Sequence, residues 1–172
     1  IYFGKSGIAN FISPSEKWYV NKKDIIRHYV PDWIFGGVMY QIFPERFNNS
    51  KTELNPETVV PWGSVSKRLE FQGGDLYGVL DKLDYLQKLG VNILYLNPIF
   101  LSNSVHKYDT WDHFEVDPHF GGNEALEKLI KELHKRGMKI ILDCSLNHVH
   151  PRNFAFQDLI KNGEKSEYKD WF

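Results

Sequence analysis

Cysteine is nearly absent: Cys144 is the only one in 172 residues. An intrachain disulfide is therefore excluded, a reducing compartment is favoured, and we expect a cytoplasmic protein. A lone thiol at the end of an apolar run reads as core packing rather than a redox centre. Long hydrophobic runs are missing as well. The longest, Val91 to Phe100, is broken by Asn92 and Asn97 and falls far short of the roughly 20 apolar residues that span a bilayer. No excess of charge exists either, since 21 basic and 22 acidic residues give a formal net charge of −1. That balance leaves no electrostatic footprint for nucleic acid or an anionic membrane, so the expected partners are neutral. No phosphate-cradling glycine pattern occurs: Gly73-Gly74 is not part of a GxGxxG, and the Asp75 that follows would repel phosphate. An initiator Met and a recognisable signal peptide are both lacking at Ile1, from which we expect the true N-terminus to lie upstream.

Aromatic residues, in contrast, are plentiful at 15%, which suits the gripping of sugar faces as well as the filling of a core. Residues 1–31 mix Gly, Ser, Pro and aromatics with little periodicity and read as the tail of a preceding β domain with a linker. VMYQIF, residues 38–43, is a short apolar strand followed by a long polar loop with turn signals at Asn48, Asn49, Asn55, Pro56, Pro61 and Gly63. Asp75 is a good helix N-cap; Leu76, Val79, Leu80, Leu83 and Leu86 then repeat at helical spacing as far as Gly90. VNILYL, residues 91–96, is a buried strand closed by Asn97-Pro98, and a second long loop runs to Gly122. The spacing predicts another helix, capped by Asn123, with an apolar face of Leu126, Leu129, Ile130 and Leu133 and a stop at Gly137, before a third buried strand, MKIILDCS.

Strand, helix, strand, helix, strand with near-continuous apolar strands implies an α/β fold with parallel pairing through right-handed crossovers. Dinucleotide-binding sheets and (β/α)₈ barrels both begin in this way. The loops after the first two strands are long and chemically rich, whereas those before the second and third are very short, so the site faces the C-terminal strand ends. With no phosphate-binding glycines, the barrel is favoured. A complete barrel needs about 250 residues, so we expect a partial (β/α)₈ TIM barrel, its first three β/α units, over residues 32–150.

Four segments in order, VMYQIFPERF, FQGGDLYGV, YLNPIF with HKYDTWDHFEVDPHFGG, and LDCSLNHVHP, resemble consecutive signatures of glycoside hydrolase family 13, the α-amylase family. The resemblance covers roughly Tyr29 to Phe172. PERF, PWG and HKYDT are most similar to the neopullulanase, cyclomaltodextrinase and maltogenic amylase group, and residues 151–172 resemble the start of that group's inserted domain B. The implied activity is hydrolysis of α-1,4-glucosidic bonds in maltodextrins, cyclodextrins or pullulan, with α-glucan oligosaccharides as ligands and a homodimeric parent. A three-strand piece would leave an edge and apolar faces uncovered, so the isolated chain is expected to self-associate, to pair with a complementary fragment, or to be marginally stable.

Read from the residues alone, Asp143 at the end of an apolar strand is as readily a loop-fixing acceptor as a site residue. The resemblance implies that His148 hydrogen-bonds the glucose at the cleavage point, that Tyr108 stacks on the same sugar, that His106 assists, and that Asp143 is a buried acceptor organising the site. Asp109, Asp112 and Asp117 read as loop-shaping acceptors of backbone N–H groups, and Asn147 as structural. No cofactor is required. Calcium is possible, since Asn49, Asn55, the Gly73 carbonyl and Asp75 match oxygen ligands used in the group; Lys51 stands nearby, where its ammonium could replace the ion. Retaining glycosidases use two carboxyl groups about 5–5.5 Å apart. The family takes them from the fourth and fifth strands, so no catalytic residue is expected within this chain. A non-catalytic α-glucan-binding module of the same descent is the alternative. An amylase-like scaffold kept for protein contacts is disfavoured, because it would not need His148 and Tyr108.

Overall fold

The computed structural model describes residues 2–4, 7–9, 30–65 and 67–172. Contacts divide the chain into two compact units, residues 1–35 and 36–172. In the first, β1 (Tyr2–Gly4) pairs antiparallel with β2 (Gly7–Ala9). Residues 10–29, within the stretch read as a β-domain tail and linker, lie outside the described residues, as does Tyr29 at the start of the family resemblance.

The second unit is built on β3 (Met39–Ile42), β4 (Ile93–Leu96) and β7 (Lys139–Leu142), paired in parallel in the order β3-β4-β7. Ile42, Leu96 and Leu142 stand at one level, as do Gln41, Tyr95 and Ile141. Because side chains alternate across a strand, this register sorts residues onto two faces. Tyr40, Ile42, Leu94, Leu96, Ile140 and Leu142 join the apolar core with the buried stripes of the helices, Leu76, Val79, Leu83 and Leu86 on one crossover and Ala125, Leu129 and Leu133 on the other. The opposite face carries Gln41 and Tyr95, and continues past the strand ends to Asn97 and Asp143.

The first crossover is not the single helix that its leucine spacing suggests. It is α1 (Leu76–Asp81) and α2 (Leu83–Lys88), interrupted at Lys82, which leaves helical geometry at φ −100°, ψ 5°. The apolar stripe continues across the break, which is why spacing alone could not reveal it. Asp75 caps α1 as expected, its carboxylate accepting from Gly78 N–H. The second crossover is α3 (Gly122–Lys135), and here the N-cap is Gly121, not Asn123. Asn123 lies in the first turn and uses its amide elsewhere, accepting from Val116 N–H at 2.8 Å and donating to the Phe114 carbonyl at 3.3 Å.

Those last contacts tie α3 to an antiparallel pair that sequence reading did not foresee, β5 (Phe100–Leu101) with β6 (Asp112–Val116), inside the second long loop. After β7 the chain leads into α4 (Phe154–Asn162), capped by Asn153, whose side chain accepts from Ala155 and Phe156 N–H. Cys144 is exposed rather than packed in the core. It stands two residues beyond Leu142, the last residue of β7, where the apolar alternation has already ended. None of the described helices is long and apolar enough to cross a membrane.

Candidate functional site at the strand ends

A chain of hydrogen bonds crosses the C-terminal ends of all three parallel strands. Gln41 Nε2 donates to Asn97 Oδ1 at 3.0 Å, Asn97 Nδ2 donates to the Tyr108 hydroxyl at 3.2 Å, and that hydroxyl donates to Asp143 Oδ2 at 2.7 Å. The Tyr108 phenol thus both accepts and donates, which fixes its rotor. Tyr108 as a whole remains 36% exposed, leaving area on which an apolar ligand face can stack. Asp143 is placed by the sheet itself, its N–H donating to the Leu96 carbonyl at 2.9 Å. The hydrogen bond to Asp143 raises the Tyr108 phenol above its ordinary value, burial adds to this, and the Asn97 bond works against it. Burial, then the same carboxylate, raises Tyr95. Cys144 is raised by the same two causes in the same order.

His106 flanks this group. Its ring centroid lies 6.0 Å from that of Tyr108, and its Nδ1 accepts the Tyr108 N–H at 3.1 Å. A nitrogen that accepts must be unprotonated, so in the neutral ring the proton sits on Nε2, the atom free to donate outward.

The loop that presents these residues is held by acids, of which Asp117 is fully buried. Asp109 accepts from the hydroxyls of Ser102, at 2.6 Å, and Ser104. Burial pushes its carboxyl upward, but these two bonds, a backbone N–H and the nearby His106 together hold the group below its ordinary value. Its main partners are therefore hydroxyls rather than the backbone N–H groups expected. Asp112 and Asp117 do take backbone partners, from Phe114 N–H at 2.8 Å and His119 N–H at 3.0 Å. Asp117 also receives the ammonium of Lys107 at 2.7 Å, in an ion pair whose side chains are only 1% and 2% exposed. Sequence reading missed this pair, because a lysine is almost never fully buried unless partnered and nothing in HKYDT distinguishes it from a surface lysine.

The first long loop is fastened in a similar way. Glu45, 1% exposed, accepts from the N–H groups of Gln72 and Gly73 and from Arg46 Nε. Arg46 extends the clamp to the carbonyls of Lys67 and Glu70, at 2.8 and 3.0 Å. A Cβ at Gly74 would collide with the Pro44 carbonyl, so only glycine permits this approach.

Of the possible calcium ligands, Asn49, Asn55 and Gly73 come together: Asn49 Nδ2 donates to Asn55 Oδ1 at 3.0 Å, and a Cβ on Gly73 would strike both amides. Asn49 Oδ1 is buried without a hydrogen-bond partner. These amide oxygens have the hard-donor chemistry that a calcium ion takes. Asp75 is otherwise engaged. Oδ1 caps α1 at Gly78 N–H, and Oδ2 accepts from Ser50 N–H at 3.0 Å and Lys51 N–H at 2.8 Å. The Lys51 ammonium makes no hydrogen bond to the amide group; it lies 3.8 Å from Glu53 and 5.8 Å from the Tyr77 ring centroid. Among the described residues no three His, Cys, Asp or Glu side chains gather as a metal site.

His148 is exposed and forms no hydrogen bond with Tyr108 or Asp143; its Nδ1 lies 3.3 Å from Asn147 Nδ2. It lines a cavity of about 480 Å³ together with His113, Phe114, Leu146, Phe154 and Trp171. The structure thus brings Tyr108, His106 and Asp143 together, joins Gln41, Asn97 and Tyr95 to them, and sets His148 beside a neighbouring aromatic cleft. Gln41 could have been anticipated from strand alternation. Asn97 was legible only as a strand terminator.

Parallel strands with helices on one face and a polar, loop-built rim at their C-terminal ends define a TIM-barrel-type α/β protein. The model of the alpha amylase catalytic domain matches residues 41–172, and the chain belongs to that family, glycoside hydrolase family 13. It is 50% identical over its full length to a cyclomaltodextrinase of Thermoanaerobacter pseudethanolicus, of which it covers 31%. It is 45% identical, again over its full length, to an intracellular maltogenic amylase of Bacillus subtilis, of which it covers 30%. Among solved structures, the ligand-free cyclic α-maltosyl-(1→6)-maltose hydrolase of Arthrobacter globiformis matches with a TM-score of 0.76 and 46% identity, over 83% of this chain and 32% of that one. The chain therefore spans about a third of the length of the relatives it matches.

The Asp143–Tyr108 bond has a titration signature. In Asp143→Asn a neutral acceptor replaces the carboxylate, and the Tyr108 phenol should fall toward its ordinary value of 10.0. NMR of isotope-labelled tyrosine, with Tyr108→Phe to assign the resonance, measures this. Because the folded protein holds this proton more tightly, the associated stability is full below about pH 10 and is lost as pH climbs through the folded value. Asp143→Asn should flatten that alkaline loss.

Proposed function

We propose that this chain supplies the first three β/α units, residues 32–150, of a retaining α-glucan hydrolase of the cyclomaltodextrinase and neopullulanase type, with residues 1–31 ending a β domain and 151–172 opening an inserted domain. The carrying observation is the Tyr108 phenol, locked between Asn97 and Asp143 in a partly exposed residue beside His106. A flat aromatic face flanked by an imidazole donor is what a glucose ring needs, stacking for its C–H groups and hydrogen bonds for its hydroxyls. In this reading Tyr108 carries the stack, His106 and His148 donate to hydroxyls, and Asp143 keeps the phenol in place. His148 serves from the adjoining cleft.

Bond cleavage needs a second set of groups. The described rim acids are occupied: Glu45 is bound by backbone N–H groups and Arg46, and Asp143 by Tyr108. The nucleophile and the acid/base are assigned to residues outside this chain, on the next two strands. The same reading gives a homodimeric parent acting on α-glucan oligosaccharides, and the compartment in the name of the B. subtilis relative supports a cytoplasmic site of action. Calcium binding is weak, because Asn49 and Asn55 offer neutral amides and the Asp75 carboxylate is saturated by N–H donors.

Calorimetry on the full-length protein should accordingly find no calcium site tighter than about millimolar, the range of few-charge sites; a micromolar site would overturn this. Replacing His148 by Ala in that protein should lower kcat/KM about 10²-fold with the melting temperature unchanged, and wild-type kinetics would remove His148 from the site. A substrate panel of β-cyclodextrin, pullulan and soluble starch tests the activity itself. The full-length protein should favour the first two, and the 172-residue chain should turn over none of them. Starch preferred by a wide margin makes the parent an ordinary α-amylase. Binding without turnover makes it the non-catalytic module.

A further inference from the structure

We propose that Lys107 is a positioning residue for Tyr108: its buried ammonium, locked to Asp117 and the Ser102 carbonyl, holds the left-handed turn that delivers the phenol to Asn97 and Asp143. This rests on the glucan-hydrolase reading only where activity is concerned. Among the described residues Lys107 is the one non-glycine residue with positive φ, at 61°. That conformation crowds Cβ against the following carbonyl and is left by most side chains unless the surroundings impose it.

Every polar group of Lys107 takes part in imposing it. Its N–H donates to Ser104 Oγ at 3.0 Å, and its carbonyl accepts from Thr110 Oγ1 at 3.2 Å. Its Nζ donates to the Ser102 carbonyl at 2.9 Å and to Asp117 Oδ2 at 2.7 Å. Asp117 in turn caps the short helical turn Pro118–Phe120 that leads into α3, so the ion pair ties the Lys107 turn to the entry of that helix, beside the contacts Asn123 makes with β6. Phe71 and Phe120 stand 5.6 and 5.4 Å from the ammonium and shield it from water. Phe71 comes from the first long loop, where it bridges Val59. The ammonium therefore sits at the junction of both loops that build the rim.

Stability alone is a poor account of this arrangement. An apolar side chain of similar length would fill the space without desolvating a charge, and such replacements of whole buried pairs are commonly neutral or stabilising. What an apolar residue could not do is fix the turn through directed bonds. The neighbouring side chain is Tyr108, whose hydroxyl reaches its two partners only if the turn is held.

The test uses the full-length protein with Lys107→Met and, since that change leaves Asp117 buried and unpaired, the double variant Lys107→Met/Asp117→Asn. The readouts are the NMR titration of Tyr108, kcat/KM on β-cyclodextrin, and melting temperature. Positioning predicts that the folded double variant loses the raised Tyr108 titration and about 10²-fold in kcat/KM, the scale expected for a reactive constellation displaced by an ångström. Tyr108 titration and kcat/KM at wild-type values, whatever the melting temperature, would reduce Lys107 to packing and overturn the proposal. Should the wild-type protein prove inactive on glucans, the functional reading fails, while the Tyr108 titration still decides the positioning role.

Discussion

The register of the three parallel strands is the constraint on which the rest depends. Ile42, Leu96 and Leu142 are aligned, so the residues that follow each of them emerge at one rim. Phase along the strand then decides direction. One alternation set is consumed by the helices, and the other points away from them, where Gln41, Asn97 and Asp143 can meet a phenol brought by a loop. A slip of one residue in any strand would exchange the two sets, burying Gln41 against leucines and turning Ile42 toward the rim.

Above that rim the loops bury a few apolar side chains, Ile99, Val105, Val116 and Phe120 among them, but their turns are fixed by polar groups. Each is fixed by a buried acid that collects donors: Glu45 takes the N–H groups of Gln72 and Gly73, Asp75 those of Ser50, Lys51 and Gly78, and Asp117 those of Ser102 and His119 together with the Lys107 ammonium. A buried carboxylate is costly unless paired, and each of these is paired more than once. Segments without periodicity thereby acquire single conformations.

Sequence reading captured what is periodic. The three strands, the helical stripe from Leu76 to Leu86, the Asp75 cap and the choice of the C-terminal rim all follow from spacing and loop length. It failed where one signal served two structures. An uninterrupted leucine stripe runs across the break at Lys82, and Asn123, a residue suited to capping, uses its amide on Val116 and Phe114 instead. The candidate site was half legible. Tyr108, His106, Asp143 and His148 stood out through motifs, and the structure gathers the first three and leaves His148 in the adjoining cleft, whereas Asn97 looked like a terminator and Lys107 drew no notice. Their roles depend on partners 11 and 10 residues away in sequence, at Tyr108 and Asp117, and no local pattern encodes such pairings. The exposed position of Cys144, beyond the end of β7, likewise depends on where the strand stops rather than on the hydrophobicity before it.

The many acids of this chain have an electrical consequence. Glu45 and Asp117 face a cation within 2.9 and 2.7 Å, and Asp75 is wrapped in backbone N–H dipoles, so these three carboxylates are neutralised or solvated where they stand. Little field escapes from such groups beyond a Debye length of about 10 Å in 0.1 M salt. With 21 basic and 22 acidic residues in the chain as a whole, the net charge adds little long-range field of its own. That leaves an uncharged visitor to be judged by contact alone, and the chain's affinity for one should scarcely respond to ionic strength.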